Sequence, residues 1–197
     1  FVSAERTRDT TLLKKPVAVI NGSDKTIFSK TPKTVYLTNE RGAFSPNLLY
    51  AKFQRNGDWR KEFIDEKGIM HGIVVAKSYE AKSHGITTGM SLHEALSRCP
   101  TLIVIAQDYP FYHLLSHQLR LFLQTQIPVL EQYSIDEFFG DLSGWIKDED
   151  TKHFATLLQE RILQQFKLPI SIGAAKSKWT AKLATDKAKP FGIKVVY

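Results

Sequence analysis

The chain has 197 residues, of which 43% are hydrophobic and 24% are charged. This composition excludes a disordered polypeptide and is typical of a globular protein. The only cysteine, Cys99, excludes an intramolecular disulfide bond and fits a reducing compartment such as the cytoplasm. No apolar run approaches the roughly 18 residues that a membrane span needs, so we expect no membrane partner. The chain begins without Met, and we interpret it as a piece of a longer protein.

The net charge of +7 is distributed unevenly along the chain. Residues 1–160 contain 19 basic and 19 acidic residues, whereas residues 161–197 contain eight basic residues and one acid. Residues 131–150 contain seven acids and one lysine. Acidic residues can hold a divalent cation and basic residues can hold phosphates, so the two neighbouring segments indicate a site for a charged ligand.

Two short apolar runs in the first half of the chain predict strands, at residues 16–20 and 72–76. Residues 31–65 show little periodicity and receive no assignment. The segment Ser78 to Ser83 indicates a short helix. Gly85 ends this helix, because glycine tolerates the left-handed conformation at a helix C-terminus.

A capping sequence and a proline delimit the next predicted helix. Ser91 precedes Glu94 by three residues, which is the spacing of a capping box, and the helix ends before Pro100. Residues 102–106 are apolar and predict a buried strand. Asp108 then begins a long helix. Its apolar face is formed by Leu115, Leu119, Phe122 and Leu123.

Predicted strands and helices alternate in the last third of the chain. Residues 129–142 are rich in β-prone residues and predict a strand pair. A long helix is predicted from apolar residues at helical period, namely Phe154, Leu158, Ile162 and Phe166. Ile170 and Ile172 alternate as in a strand, and Ser177 caps a last helix that stops before Pro190. This order predicts an α/β or α+β fold with helices packed on a sheet.

Two adjacent carboxylates, Asp136 and Glu137, lie in the strand-like stretch from Tyr133 to Leu142. Hard divalent cations such as Mg²⁺ prefer carboxylate oxygens, so the pair is a candidate metal site. Neighbours in a regular strand point to opposite faces, so both side chains can reach one ion only at a strand end or a hairpin turn. The alternative is that one acid is solvated and the other is paired with a surface lysine.

Two lysines, Lys178 and Lys182, are one helical turn apart at the start of the last predicted helix. Together with Ser177 and the first amides of that helix, they are candidate ligands for a phosphate. The alternative is a solvated basic face on a helix whose Trp179, Leu183 and Ala184 pack inward.

Tyr79 and Lys82 share a face of the short helix after the second predicted strand, because they are three residues apart. Their hydroxyl and ammonium groups could bind a phosphate, and the alternative is an ordinary amphipathic turn. The order of the three features, a phosphate binder, an acid pair and a second phosphate binder, adds information that no single feature provides.

Five segments in order resemble the motifs of the Y-family of translesion DNA polymerases, in particular the bacterial DNA polymerase IV and UmuC (ImpB/MucB/SamB) branches. Residues 133–142 read YSIDEFFGDL, where the family has YSIDEAFLDL. Residues 74–90 and 172–192 are similar to the family's VVAxSYEARxxGVxxGM and GIAxNKxxAKxASxxAKPxG. Residues 1–5 (FVSAE) resemble the end of the family's DxDxFFASVE, and residues 15–19 match the KPVAV that follows.

The resemblance implies the palm and fingers of a DNA-directed DNA polymerase, with a mixed, antiparallel-rich palm sheet flanked by helices. It implies template-directed nucleotidyl transfer assisted by two Mg²⁺ ions, with Mn²⁺ as a substitute. By match, Asp136 and Glu137 are the catalytic, metal-holding carboxylates, and the hairpin turn lets them converge. Tyr79, Lys82 and Lys178 match residues that bind the incoming triphosphate.

Several departures from the family pattern accompany the match. Phe1 matches the aromatic residue that packs under the sugar and rejects a 2′-hydroxyl. The family's DxD motif, whose first Asp is a shared metal ligand, would lie just before Phe1 and is not in this chain. We therefore expect the isolated chain to be inactive. Lys82 replaces the usual arginine and lacks its bidentate fork, so we expect a weaker phosphate grip. The thumb and little-finger domains are missing, so we expect weak, steeply salt-dependent DNA binding.

The resemblance assigns residues 1–88 to the fingers and residues 89–197 to the palm. The stretch between Ile20 and Val74 is longer than the family's usual linker, and we predict an insertion at about residues 23–71.

The implied partners are primer–template DNA, a dNTP and, through regions outside this chain, a sliding clamp. The implied process is translesion synthesis in DNA repair. Two alternatives stay open: a non-catalytic module that binds damaged DNA with a palm fold, and a palm-like nucleotide cyclase or nuclease. A cyclase turns over nucleotide without a template, and a nuclease degrades a primer rather than extending it.

Overall fold

The computed structural model describes residues 1–21 and 58–197. Most of the insertion predicted at residues 23–71 therefore lies outside the described residues. Internal contacts divide the chain into two units, Phe1–Tyr112 and His113–Tyr197, each described below by itself. The division into fingers at residues 1–88 and palm at residues 89–197 concerns functional subdomains and stays a prediction.

Helices and short strands alternate in the first unit. In chain order they are α1 (Val2–Arg8), β1 (Val17–Asn21), α2 (Arg60–Phe63), β2 (Ile73–Lys77), α3 (Tyr79–Ser83), α4 (Leu92–Arg98), β3 (Ile103–Ala106) and the beginning of α5 (Tyr109–Gln126). The strands predicted around residues 16–20, 72–76 and 102–106 are confirmed as β1, β2 and β3.

The central strand of the first unit is β1, which pairs with β2 antiparallel and with β3 parallel. Val19 lies opposite Ala76 on one side and Ile105 on the other. Residues 17–20 are all fully buried, as a strand covered on both faces requires. A continuous apolar run is the sequence signature of this position, which explains why β1 was predictable.

Serine side chains cap α3 and α4, and the sequence predicts the second of these caps. The Ser78 hydroxyl oxygen accepts a hydrogen bond from the Ala81 amide at 3.1 Å, and the Ser91 hydroxyl oxygen accepts one from the Glu94 amide at 3.2 Å. Gly85 follows the end of α3 with a φ of 77°, the left-handed conformation that favours glycine. Buried side chains from the sheet, the helices and the loop after α3 form the core of this unit, including Ile20, Phe63, Val74, Ile86 and Leu92.

The second unit contains the rest of α5 and two small two-stranded sheets. Its other elements are β4 (Val129–Gln132), β5 (Phe138–Asp141), α6 (Thr151–Phe166), β6 (Ile172–Ala174), α7 (Lys178–Ala188) and β7 (Ile193–Val195). β4 and β5 form the predicted antiparallel hairpin, whereas β6 and β7 pair in parallel. The expected α/β (α+β) class with helices and mixed sheets is confirmed.

The core of the second unit is formed by facing apolar residues of α5 and α6. Leu119 and Leu123 of α5 and Leu158 and Ile162 of α6 are at most 8% exposed. These residues belong to the two helical-period patterns in the sequence, so both patterns identified the core face correctly.

Candidate phosphate and metal site

The hairpin β4–β5 places Asp136 and Glu137 at its turn. Residues 133–137 connect the strands, and the Tyr133 amide donates a hydrogen bond to the Glu137 carbonyl at 3.0 Å. Glu131 lies directly opposite Phe139 in the strand register. The predicted hairpin turn around the acid pair is therefore present.

The two faces of the hairpin differ in chemistry because strand residues alternate between faces. Leu130 and Phe138 pack against the core of the second unit. Glu131 and its cross-strand neighbour Phe139 occupy the opposite face, and the ring of Tyr133 packs edge-on against Phe139 with 6.0 Å between centroids. One face is thus apolar, and the other combines aromatic rings with carboxylates.

Two lysines of α7 meet the aromatic and acidic face of the hairpin. Lys178 forms an ion pair with Glu131, and Lys182 forms one with Glu137. The Lys178 ammonium lies 5.9 Å from the centroid of the Phe139 ring, and the Lys182 ammonium lies 5.6 Å from that of Tyr133. The helix therefore presents its basic face to the hairpin, with Lys178 at the strands and Lys182 at the turn.

The N-terminus of α7 is arranged as the sequence predicts, but its apolar residues are not. The Ser177 hydroxyl oxygen accepts a hydrogen bond from the Thr180 amide at 3.2 Å, which confirms the predicted cap. The alternative in which Trp179, Leu183 and Ala184 pack inward is correct for Ala184, which is 3% exposed, and wrong for Trp179 and Leu183, which are 75% and 65% exposed. They stay exposed because the lysine face of α7, rather than their own, contacts the hairpin.

Asp136 and Glu137 have different partners in the structure. Glu137 is ion-paired with Lys182, whereas Asp136 is exposed and accepts a hydrogen bond from the Ser134 hydroxyl at 3.1 Å. This arrangement matches the alternative of one exposed acid and one acid paired with a lysine. The convergence of both carboxylates on one ion stays a prediction.

The acid pair fits a divalent cation only in part. Its carboxylate oxygens are the donors that Mg²⁺ and Mn²⁺ prefer. Across residues 1–21 and 58–197, however, no three Asp, Glu, His or Cys side chains are grouped closely enough to hold a metal ion. Asp136 and Glu137 can therefore supply at most part of a ligand set.

Asp141, on β5, is also influenced by Lys178. Hydrogen bonds from the hydroxyl and amide of Ser143 lower the pKa of the Asp141 carboxyl, and the positive charge of Lys178 lowers it further. Lys178 thus interacts with carboxylates on both strands of the hairpin, at Glu131 and at Asp141.

The hairpin and α7 line a cavity of about 650 Å³ within the second unit. Glu131, Glu137, Lys178 and Lys182 all contribute to its wall. Ligand-binding pockets typically enclose about 300–1,000 Å³, so the cavity has room for a phosphorylated small molecule.

In the first unit, Tyr79 and Lys82 lie on α3, which begins directly after β2. Both are exposed, with Tyr79 54% accessible, so the predicted pair is open to a ligand. Between them, Glu80 accepts a hydrogen bond from Arg6 at 2.9 Å. This ion pair connects α3 to α1 and holds the short helix in place.

Phe1 packs against Tyr112, an aromatic residue that the sequence analysis did not identify. Its ring stacks on Tyr112 with a centroid distance of 4.6 Å and an interplanar angle of 13°. The Tyr112 hydroxyl donates a hydrogen bond of 2.6 Å to Glu5, which is fully buried. The available signal was weak, because Tyr112 is one of three aromatic residues near the start of α5.

The candidate residues therefore fall into two groups. Phe1, Tyr79 and Lys82 belong to the first unit, and Asp136, Glu137 and Lys178 belong to the second. The three residues of the second group line one cavity, but the ion pairs of Lys178 and Glu137 are formed with Glu131 and Lys182. In the part of the chain that the structure describes, no helix has the length and apolar character to cross a membrane.

Comparisons with known proteins agree on one family. The sequence profile of the impB/mucB/samB family matches residues 1–186. DNA polymerase IV 1 of Halalkalibacterium halodurans is 39% identical over 125 residues, which are 64% of this chain and 30% of that protein. DNA polymerase IV of Clostridium acetobutylicum is 35% identical over 133 residues, which are 68% of this chain and 33% of that protein. The chain thus spans about a third of the length of the curated relatives it matches.

Solved structures share the fold at lower sequence identity. An insertion ternary complex of Dbh DNA polymerase has a TM-score of 0.74 and 21% identity, with all of this chain and 46% of that one covered. A crystal structure of DinB from Sulfolobus solfataricus has a TM-score of 0.72 and 22% identity, with 100% and 45% covered. These similarities show that the fold is that of the palm and fingers region of Y-family polymerases.

Proposed function

The chain belongs to the impB/mucB/samB family, and from that premise we propose that it forms the nucleotide-binding part of a template-directed translesion DNA polymerase. The observation that carries the proposal is the contact between the acidic hairpin and the basic face of α7. It combines carboxylates that suit a divalent cation with lysines that suit phosphates in one cavity.

The reaction is the transfer of a nucleotide to a primer. The primer 3′-oxygen forms a bond to the α-phosphorus of a dNTP, and the bond from that phosphorus to the bridging oxygen breaks, which releases pyrophosphate. Mg²⁺, or Mn²⁺ in its place, would be held by Asp136 and Glu137 and would stabilise the charge on the attacking and leaving oxygens.

The other candidate residues bind the substrates. Lys178, Tyr79 and Lys82 would donate hydrogen bonds to the triphosphate, and Phe1 would pack under the sugar and exclude a 2′-hydroxyl. The proposed partners are primer–template DNA and a dNTP, and a sliding clamp through regions outside this chain. For a bacterial polymerase of this kind, the compartment is the cytoplasm.

Primer extension with the Asp136→Asn variant tests the proposal. The protein for this test is the chain together with the flanking sequence that its own gene encodes, with Mg²⁺ present. We expect template-directed extension by the unsubstituted protein and a rate at least about 100-fold lower in the variant. The uncharged amide lacks the negative charge that would hold the metal ion at the reacting centre.

Asp150→Asn is the matched control, since Asp150 is an exposed aspartate of the same unit whose side chain makes no helix-capping hydrogen bond. It should extend primers normally. DNA binding without extension by the unsubstituted protein would contradict the proposal and favour the non-catalytic module. Extension that survives Asp136→Asn would remove Asp136 from the reacting centre.

A further inference from the structure

The residue that holds Lys178 in the structure is Glu131, which lies outside the acidic signature at residues 133–142. Its carboxylate is ion-paired with the Lys178 ammonium. A phosphate oxygen would use the same ammonium group, because both groups are anionic oxygen acceptors that lysine binds as a point charge. The site therefore contains its own anion at the position where the proposed ligand would bind.

The ion pair is accessible to exchange. The Lys178 and Glu131 side chains are 60% and 50% exposed, and both line the 650 Å³ cavity. Water can solvate both groups when they separate, so an exposed pair of this kind opens at little cost. The pair between Lys182 and Glu137 is less exposed, at 35% and 40%, so water solvates its separated groups less well than those of the Lys178–Glu131 pair.

We propose that Glu131 competes with phosphate for Lys178 and thereby sets the affinity of the site for a triphosphate. Triphosphate binding then requires Lys178 to exchange the Glu131 carboxylate for a phosphate oxygen, while Glu131 turns to solvent. This inference rests on the proposed function, because it takes Lys178 as a triphosphate ligand. It adds a residue that opposes binding at the same site.

The test is calorimetric titration of inorganic triphosphate into the 197-residue chain at low salt and without metal. Glu131→Gln should tighten binding by about two- to fivefold, the range that corresponds to the loss of one exposed ion pair. Glu160→Gln is the charge-matched control, because Glu160 is an exposed carboxylate of the same unit, on α6. This control should change the affinity much less.

Lys178→Ala and the double variant Glu131→Gln/Lys178→Ala complete the test. Lys178→Ala should weaken triphosphate binding, and the gain from Glu131→Gln should disappear in the double variant. The inference is overturned if Glu131→Gln binds no more tightly than Glu160→Gln, or if its gain persists without Lys178. Primer extension reports separately on the polymerase, so an inactive protein whose triphosphate affinity still responds to Glu131 would contradict only the proposed function.

Discussion

The hydroxyl group of Tyr112 lies in the interior of the first unit, where water does not solvate charged groups. It donates a hydrogen bond of 2.6 Å to Glu5, which is fully buried and also accepts hydrogen bonds from Arg8 at 2.8–3.0 Å. Removing the hydroxyl leaves a buried carboxylate short of one donor. We therefore expect Tyr112→Phe to lower the free energy of unfolding by about 1.5–3 kcal/mol, measured by denaturant titration.

Tyr197→Phe is the control, because it removes the same hydroxyl from a residue that is 74% exposed, and its effect should stay within about 0.5 kcal/mol. The pH dependence adds a second check. Burial, together with the hydrogen bond to Glu5, raises the pKa of Tyr112. Its contribution to stability is therefore complete below the ordinary tyrosine pKa of about 10 and is lost as the pH rises above it. A stability difference between wild type and Tyr112→Phe that grows above this pH would contradict the assignment.

At the scale of elements, the contact between β6 and α7 depends on Gly173. A Cβ atom on Gly173 would collide with the Ala181 carbonyl and the Thr185 amide of the helix backbone. Because these backbone atoms cannot move without displacing the helix, we expect Gly173→Ala to destabilise the second unit by about 3 kcal/mol, the upper end of the usual cost of overpacking. Denaturant titration measures the effect, and hydrogen exchange over residues 151–197 shows whether it lies in this region.

Gly144→Ala separates the collision from the general cost of a glycine substitution. Gly144 has a φ of 71° and nothing within 4 Å of its Cβ position, so only the conformational penalty of about 1–2 kcal/mol applies. Equal effects of the two substitutions would contradict this prediction. They would show that small shifts of the backbone make room for a Cβ atom between β6 and α7.

Elements with strong local signals could be predicted from the sequence, and three elements without such signals were missed. The caps at Ser91 and Ser177 and the buried run of β1 are local patterns that directly reflect local geometry. The missed elements are α1 (Val2–Arg8), α2 (Arg60–Phe63) and β7 (Ile193–Val195). Both helices start without a capping hydrogen bond from a side chain, and the three residues of β7 are stabilised by parallel pairing with β6. Neither feature is visible in a window of sequence.

The candidate site shows the same limit. The resemblance and the charge pattern identified the acid pair and the lysines. The ion pairs that join them, between Lys178 and Glu131 and between Lys182 and Glu137, connect residues 47 and 45 positions apart. No spacing rule specifies such partners, because they depend on how α7 packs against the hairpin.

At the scale of the whole molecule, the basic excess of residues 161–197 is partly neutralised. Of its eight basic side chains, four form ion pairs with acids: Lys176, Lys178, Lys182 and Lys189. The others are Arg161, which donates to Gln126, and Lys167, Lys187 and Lys194. A net charge of +7 therefore overstates the number of side chains ready to contact phosphates.

The salt dependence of duplex DNA binding distinguishes lysines that form ion pairs from lysines that do not. Each phosphate contact contributes about −0.9 to the slope of log K against log salt concentration. Lys187 forms no ion pair with an acid among the described residues. If it contacts DNA, Lys187→Gln should therefore reduce the slope of the 197-residue chain by about 0.9. Lys176→Gln should reduce the slope less than Lys187→Gln, because the Lys176 ammonium is already paired with Asp148 and releases fewer counterions on binding. Equal reductions in the two variants would show that the Lys176–Asp148 ion pair opens fully when DNA binds. Ion pairing with acids of the same chain would then not lower the number of lysines that contact DNA.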